Sequence, residues 1–99
     1  MTINKKLEGT ELTIALEGRL DTTTAPDLED EVKASTQGLT RLVLDLEKLE
    51  YMSSAGLRVL LSAHKAMTAQ GGELIVRKVN ETIQEVFEVT GFSDILTIE

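Results

Sequence analysis

The chain has 99 residues, no cysteine and a formal net charge of −7. A chain of this length predicts a single domain over residues 1–99, which buries roughly two thirds of its unfolded surface. The missing thiols exclude disulfides, thiolate metal sites and cysteine nucleophiles, and they fit a reducing compartment. The acidic balance argues against nucleic acid and anionic lipid as partners, since both need a basic surface. With no apolar run near the ~20 residues of a membrane span and no signal-peptide pattern, we expect a cytoplasmic protein.

The N-terminal segments predict a β-hairpin. Ile3–Leu7 and Glu11–Leu16 flank a turn that contains Gly9, and the second segment alternates apolar and small or polar residues. This period of two is typical of a strand with one face on the core. The segment Gly18-Arg19-Leu20 extends the second strand as far as Asp21.

A helix is predicted to follow this hairpin. Thr24 is placed as its N-cap, with Asp27 three residues later as the partner in a capping box. Pro26 is tolerated in the first turn, and the acidic residues that follow it favour the positive end of the helix dipole. Gly38 predicts the end of this helix, because glycine readily adopts the left-handed conformation of a C-terminal stop.

The second half alternates strands with helices. Leu39–Leu46 contains an unbroken apolar run, which predicts a central strand covered on both faces and closed by Asp45. Leu49–Met52 leads into a long helix, Ala55–Ala69, in which His64 lies on or beside the apolar face. The order continues with a strand at 74–76, a helix from 80 to 91 and a short strand at 95–98. The β-β-α-β-α-β-α-β pattern predicts an α/β domain with a mostly parallel sheet and right-handed crossovers.

Two consecutive serines begin the long helix. Ser53 or Ser54 takes the N-cap position, where a hydroxyl accepts from the free N–H groups of the first turn. The helix dipole also stabilises an anion there, and small Ala55 and Gly56 are expected to leave the hydroxyls open to a partner. The segment therefore fits a phosphorylation site, although serine is also a common cap without any further function.

Signals for catalysis are weak. The only histidine, His64, lies about 13–15 Å along the helix axis from the two serines, too far for a catalytic triad. Asp21 and Asp45 are both predicted at strand ends, where they could approach each other, although the usual explanation of such residues is a solvated carboxylate or a loop cap. No phosphate-binding loop, dinucleotide fingerprint or metal-ligand spacing is present, so we expect no enzyme activity, no cofactor and no metal.

Four segments together resemble the STAS domain of bacterial anti-sigma factor antagonists. They are Gly18-Arg19-Leu20-Asp21, Thr24-Ala25, Leu42-Val43-Leu44-Asp45-Leu46 and Met52-Ser53-Ser54-Ala55-Gly56-Leu57. The resemblance spans almost the whole chain. It implies a STAS fold with a four- to five-stranded, mostly parallel mixed sheet and three or more helices.

The resemblance also implies a partner-switching cycle. The unphosphorylated antagonist binds an anti-sigma factor that is also a serine kinase, and so releases a sigma factor. Phosphorylation ends the binding, and a serine phosphatase resets the protein. Aligned on Gly56-Leu57, the acceptor becomes Ser54, which we also expect to cap the helix, and Ser53 replaces the family's usual aspartate, so Ser53 remains the alternative acceptor.

The family's partner-binding surface, carried over residue by residue, involves the turn after the second strand and the start of the long helix. Its members are Asp21, Thr22, Thr23, Thr24, Ser53, Ser54, Ala55, Gly56, Leu57 and Arg58. We expect a monomer or weak dimer that binds neither nucleic acid nor membrane. Two alternatives stay open, namely the STAS subunit of a lipid-transporting ABC complex and a module that binds a small ligand near the strand ends.

Overall fold

The computed structural model describes residues 1–99 and contains five strands and three α-helices. In chain order they are β1 (Thr2–Glu8), β2 (Glu11–Leu20), α1 (Ala25–Ser35), β3 (Arg41–Met52), α2 (Ser54–Ala69), β4 (Glu73–Arg77), α3 (Glu81–Thr90) and β5 (Thr97–Ile98). The strands form one sheet in the order β1-β2-β3-β4-β5. Strand β1 is antiparallel to β2, and each later pair is parallel. The mixed sheet confirms the predicted fold class.

The helices share one hydrophobic core with one face of the sheet. Residues from α1, α2 and α3 join alternate residues of β2, β3 and β4 in a single cluster of 23 buried side chains. Val43 and Ile75 are also buried but lie outside this cluster, because alternate residues of a strand point to opposite faces. Arg41 shares their face and lies within 3.5 Å of glutamates on three other strands or their ends. The prediction that β3 is covered on both faces is confirmed over Leu42–Leu44, whose side chains are all fully buried, although the helices lie on one face only.

Strand β3 is longer than predicted because it contains two irregularities. Its pairing with β2 shifts register between Ala15 and Glu17 and again between Gly18 and Arg19. Each shift adds a residue to β3, so its buried positions change from every second to every third residue. Because of the extra residues, the apolar side chains after each bulge again face the core. The strand therefore continues between Leu46 and Leu49, where the sequence predicted an interruption.

The two aspartates at predicted strand ends lie at different positions along the sheet. Asp45 lies within β3, opposite Ala15, and does not close the strand. Asp21 follows Leu20, which pairs with Met52 at the far end of β3. Asp21 and Asp45 therefore do not approach each other, because the two residues lie at different levels of the same sheet.

The helix boundaries agree with the predictions to within a few residues. Helix α1 ends at Ser35, three residues before Gly38, whose φ of +81° is the left-handed conformation expected there. Helix α3 is capped by Asn80, whose side chain accepts from the Ile83 N–H at 2.9 Å. The last strand comprises only Thr97–Ile98, because a 3₁₀ turn precedes it. None of the helices combines the length and the apolar character that crossing a bilayer requires.

Candidate functional site

The two segments singled out by the sequence lie side by side at one edge of the sheet. Leu20 and Met52 are paired at the ends of β2 and β3. The pairing continues one step further, because the Ser53 N–H donates to the Leu20 carbonyl at 2.9 Å. The turn Asp21–Thr24 and the start of α2 are therefore neighbours, as expected where parallel strands end at a common edge.

Ser53 and Ser54 have different roles at the start of α2. Ser53 is the N-cap, with extended backbone (φ −89°, ψ 174°), and its hydroxyl accepts from the Gly56 N–H at 3.4 Å. Ser54 is the first helical residue, and its side chain is exposed and makes no hydrogen bond within the protein. The prediction that Ser54 caps the helix is therefore wrong. The structural cap and the free hydroxyl belong to two adjacent residues.

Gly56 lacks a side chain at a position where α2 packs against the sheet. Gly56 is buried, and a Cβ atom built on it would lie 2.8 Å from Leu20 Cγ and 3.0 Å from Met52 Cγ. The first turn of α2 thus packs directly on the paired ends of β2 and β3. The expectation that Gly56 opens the serines to a partner is wrong, because its missing side chain accommodates the core.

The turn after β2 is organised by the carboxylate of Asp21. Its Oδ1 accepts from the Thr23 N–H at 3.0 Å, from the Thr23 hydroxyl at 2.7 Å and from the Thr24 N–H at 3.2 Å. These bonds, the one from the Thr23 hydroxyl foremost, hold the pKa of Asp21 below its ordinary value. The side chain of Asp21 is 31% exposed. Asp21 is therefore a fixed anion that remains accessible beside the start of α2.

The capping box predicted for α1 is not formed. The Thr24 hydroxyl makes no capping bond to the helix. It accepts from the Asp21 N–H at 2.8 Å and donates to the Arg19 carbonyl at 2.9 Å. Thr24 therefore connects the turn to the end of β2. Because its hydroxyl does not cap α1, Asp27 is not part of a capping box.

Sequence reasoning missed a stacked pair beside this turn. The Arg19 guanidinium lies 4.3 Å from the centre of the Tyr51 ring and 3.9 Å from the Asp21 carboxylate. Arg19 and Tyr51 are cross-strand partners because the two register shifts in β3 bring them opposite each other. No period in the sequence reveals those shifts, so no signal pointed to this pair. An exposed aromatic ring thereby joins the site.

A shallow groove runs between α1 and α2 next to the serines. Its volume is about 360 Å³, and its lining includes Thr22, Ala25, Ala55 and Arg58. Of the predicted surface residues, Thr22, Thr23, Ser54 and Arg58 are exposed, and Asp21, Thr24, Ser53 and Ala55 are half-buried. Gly56 and Leu57 are buried and support the site from the core side.

No catalytic or metal-binding group accompanies this site. His64 lies ten residues after Ser54 on the same helix, and its ring is half-buried. No three histidine or carboxylate side chains come close enough to hold a metal ion. The site consists of an exposed hydroxyl at a helix start, a fixed carboxylate and a groove.

Comparisons with known proteins agree with this fold. The family model described as STAS domain matches residues 2–99. BtrV of Bordetella bronchiseptica, named as a candidate anti-sigma factor antagonist, is 39% identical over 94 residues, which cover 94% of this chain and 80% of BtrV. The anti-sigma-B factor antagonist of Listeria monocytogenes is 32% identical over 97 residues, with 96% and 84% of the two chains covered. These relatives are named as regulators, in agreement with the prediction that the chain is not an enzyme.

Among solved structures, the anti-sigma factor antagonist SpoIIAA in its unphosphorylated form has a TM-score of 0.79 at 18% identity, with 99% of this chain and 87% of SpoIIAA covered. The phosphorylated form of the Bacillus SpoIIAA also has a TM-score of 0.79, at 19% identity, with 99% and 91% covered. These likenesses confirm the fold. Together with the family match over nearly all residues and relatives above 30% identity, they show that the chain belongs to the STAS domain family.

Proposed function

We propose that the protein is an anti-sigma factor antagonist that works by partner switching. Its unphosphorylated form binds an anti-sigma factor that is also a serine kinase, and this binding releases a sigma factor. Phosphorylation of Ser54 ends the binding, and a serine phosphatase restores it. The names of the two relatives described above, anti-sigma factor antagonist and anti-sigma-B factor antagonist, support the first part of this proposal.

One observation carries the proposal: the Ser54 hydroxyl is exposed and unbonded at the first residue of α2. A kinase must reach the acceptor hydroxyl from solvent, and Ser54 meets this requirement. Ser53 is half-buried and its hydroxyl serves the helix as cap. Phosphorylation of Ser53 would disturb that cap, and for this reason we assign the acceptor to Ser54.

The free protein tolerates a phosphate at this position. A phosphate adds about −1.5 to −2 charge, and the unsatisfied N–H groups of a helix start favour an anion. SpoIIAA has the fold of this chain in both its unphosphorylated and its phosphorylated form, each with a TM-score of 0.79.

The energetic penalty instead falls on the complex. A partner surface that fits the Ser54 hydroxyl must desolvate a phosphate in its place. The fixed carboxylate of Asp21 in the adjacent turn adds a second negative charge at the same edge of the sheet. A loss of only ~3 kcal/mol weakens binding more than a hundredfold, so a single phosphate is sufficient for a switch.

Titration calorimetry with the purified cognate kinase and nucleotide tests this proposal. We expect Ser54→Ala to bind like the parent, because it removes only a hydroxyl that has no partner within the protein. Ser54→Asp should lose a large part of the affinity, although less than the phosphorylated protein, since aspartate carries less charge and bulk. Thr68→Asp is the matched control, because Thr68 is also exposed on α2 but lies outside the groove and about 21 Å further along the axis.

The outcomes separate the alternatives. Equal affinities for the parent, Ser54→Ala and Ser54→Asp would reject charge at this position as the switch and favour an adaptor or ligand-binding role. Equal losses in Ser54→Asp and Thr68→Asp would show a general effect of charge. Mass spectrometry after incubation with the kinase and ATP checks the acceptor, and phosphate on Ser53 alone would contradict our assignment.

A further inference from the structure

Arg58 is the one arginine of the protein that has no carboxylate partner. The chain contains four arginines. Arg19, Arg41 and Arg77 each lie within 4.0 Å of an aspartate or glutamate side chain. Arg58 is exposed and takes part in none of the ion pairs or side-chain hydrogen bonds of the structure. Its guanidinium is therefore available for a new partner.

The position of Arg58 on α2 directs it towards Ser54. Both residues are in the same regular helix and four positions apart. This spacing places them about 40° apart around the helix axis and about 6 Å apart along it. Side chains on a helix lean towards its N-terminus, so the guanidinium of Arg58 extends back over the turn that begins with Ser54.

No acidic residue of α1 neutralises Arg58 from across the groove. Glu29 is the only acidic side chain that lines the groove, and Arg58 is the only basic one. Glu29 is already paired with Lys33 on its own helix at 3.1 Å. Asp21, in the turn beside the groove, is held by Thr23 and Thr24.

We propose that Arg58 is the intramolecular counter-ion of a phosphate on Ser54, so that phosphorylation closes an ion pair within the first turns of α2. This inference rests on the proposed function, because it requires phosphorylated Ser54. The orientation is the favourable one, with the anion N-terminal to the cation at a spacing of four residues. A guanidinium can also donate two parallel hydrogen bonds to phosphate oxygens, which a lysine cannot reproduce.

The ion pair changes the groove in two ways at once. Before phosphorylation, the groove presents one free cation next to an exposed hydroxyl. Afterwards the cation is bound to the phosphate, and the edge of the groove carries excess negative charge. A partner that contacts Arg58 through an acidic group thus loses that contact in the same step that adds a repulsive charge.

The test uses the full chain with phosphoserine genetically encoded at position 54 and a pH titration followed by phosphorus NMR. We expect Arg58→Gln to raise the second pKa of the phosphoserine by about 0.15 to 0.4 pH unit relative to the parent sequence. Lys65→Gln is the matched control, since it removes an equal charge from an exposed position of α2 about 16 Å along the axis from residue 54. Its effect should stay below about 0.1 pH unit at physiological salt, because that distance exceeds the screening length. Arg58→Lys should keep part of the effect.

Equal pKa values in the parent and Arg58→Gln, or equal changes in Arg58→Gln and Lys65→Gln, would overturn the ion pair. The encoded phosphoserine makes this result independent of any kinase. Calorimetry with the kinase tests the proposed function separately. If the pKa difference is found but phosphorylation leaves kinase binding unchanged, the switch is rejected and the ion pair is not. A working switch without the pKa difference would reject the role of Arg58 alone.

Discussion

Gly56→Ala distinguishes the two explanations for the glycine at the start of α2. If the small residue serves the approach of a partner, alanine should leave stability unchanged. In the structure, the new methyl group would lie 2.8 Å from Leu20 Cγ, 2.9 Å from Leu20 Cδ2 and 3.0 Å from Met52 Cγ. Leu20 is fully buried and Met52 is 3% exposed, so neither can move aside into solvent.

Overpacking of this kind costs about 1–3 kcal/mol, and the better helix propensity of alanine returns at most about 1 kcal/mol. We therefore expect a net loss of about 1–2 kcal/mol in the free energy of unfolding. For a domain of this size, that loss lowers the Tm by roughly 5–15 °C. Urea unfolding followed by circular dichroism measures the free energy, and thermal unfolding measures the Tm.

A double-mutant cycle with Leu20→Ala identifies the contact responsible. Leu20→Ala removes the two closest clashing atoms, so Gly56→Ala should cost at least about 1 kcal/mol less in that background. A neutral or stabilising Gly56→Ala in the parent would refute the packing argument. The same cost in both backgrounds would show that Leu20 does not create the strain.

Two further predictions concern the serines and Asp21. Ser53→Ala should cost about 1 kcal/mol of stability and Ser54→Ala less than about 0.5 kcal/mol, because only Ser53 caps α2. Ser54→Asp should stay within about 1 kcal/mol of the parent, because the helix dipole favours an acidic residue there. Urea unfolding measures these differences, and a larger loss in Ser54→Ala than in Ser53→Ala would contradict the structure. Asp21→Asn should lower stability in a pH-dependent way, because the folded pKa of Asp21 is depressed by its hydrogen bonds, chiefly the one from the Thr23 hydroxyl. A depressed pKa contributes stability above the ordinary value of 3.8 and loses it as the pH falls through the lower folded value. The difference between parent and Asp21→Asn in urea unfolding should therefore be constant well above pH 3.8 and shrink below it, and a difference independent of pH would contradict this role.

The order of elements was predictable because the periods of two and 3.6 are local properties of the sequence. Asn80 and Gly91 marked the bounds of α3 correctly, since a cap and a left-handed stop act on adjacent backbone groups. The extent of β3 was not predictable, because its two bulges appear only when the strand is paired with β2. A bulge changes which residues face the core without changing their hydropathy.

The site was predictable in its location but not in its details. The two serines and Asp21 were placed correctly at neighbouring strand ends. The sequence could not show that Thr24 bonds back to Arg19 and Asp21, because a threonine near a helix start has several acceptors and donors within reach. Nor could it show that Gly56 faces Leu20 and Met52, which requires the packing of α2 on the sheet.

Ser53 and Ser54 have separate roles, and this affects how long the phosphorylated and unphosphorylated forms of the protein persist in a cell. The residue that holds the helix start is not the one we propose to be modified, so adding or removing a phosphate leaves the cap unchanged. The helix start and Arg58 both stabilise the phosphate in the folded protein, so the phosphorylated form has no larger unfolded population than the unphosphorylated form. Proteolysis commonly depends on that population. Degradation would therefore not remove the phosphorylated form faster, and a fall in its level would report a change in the kinase or the phosphatase.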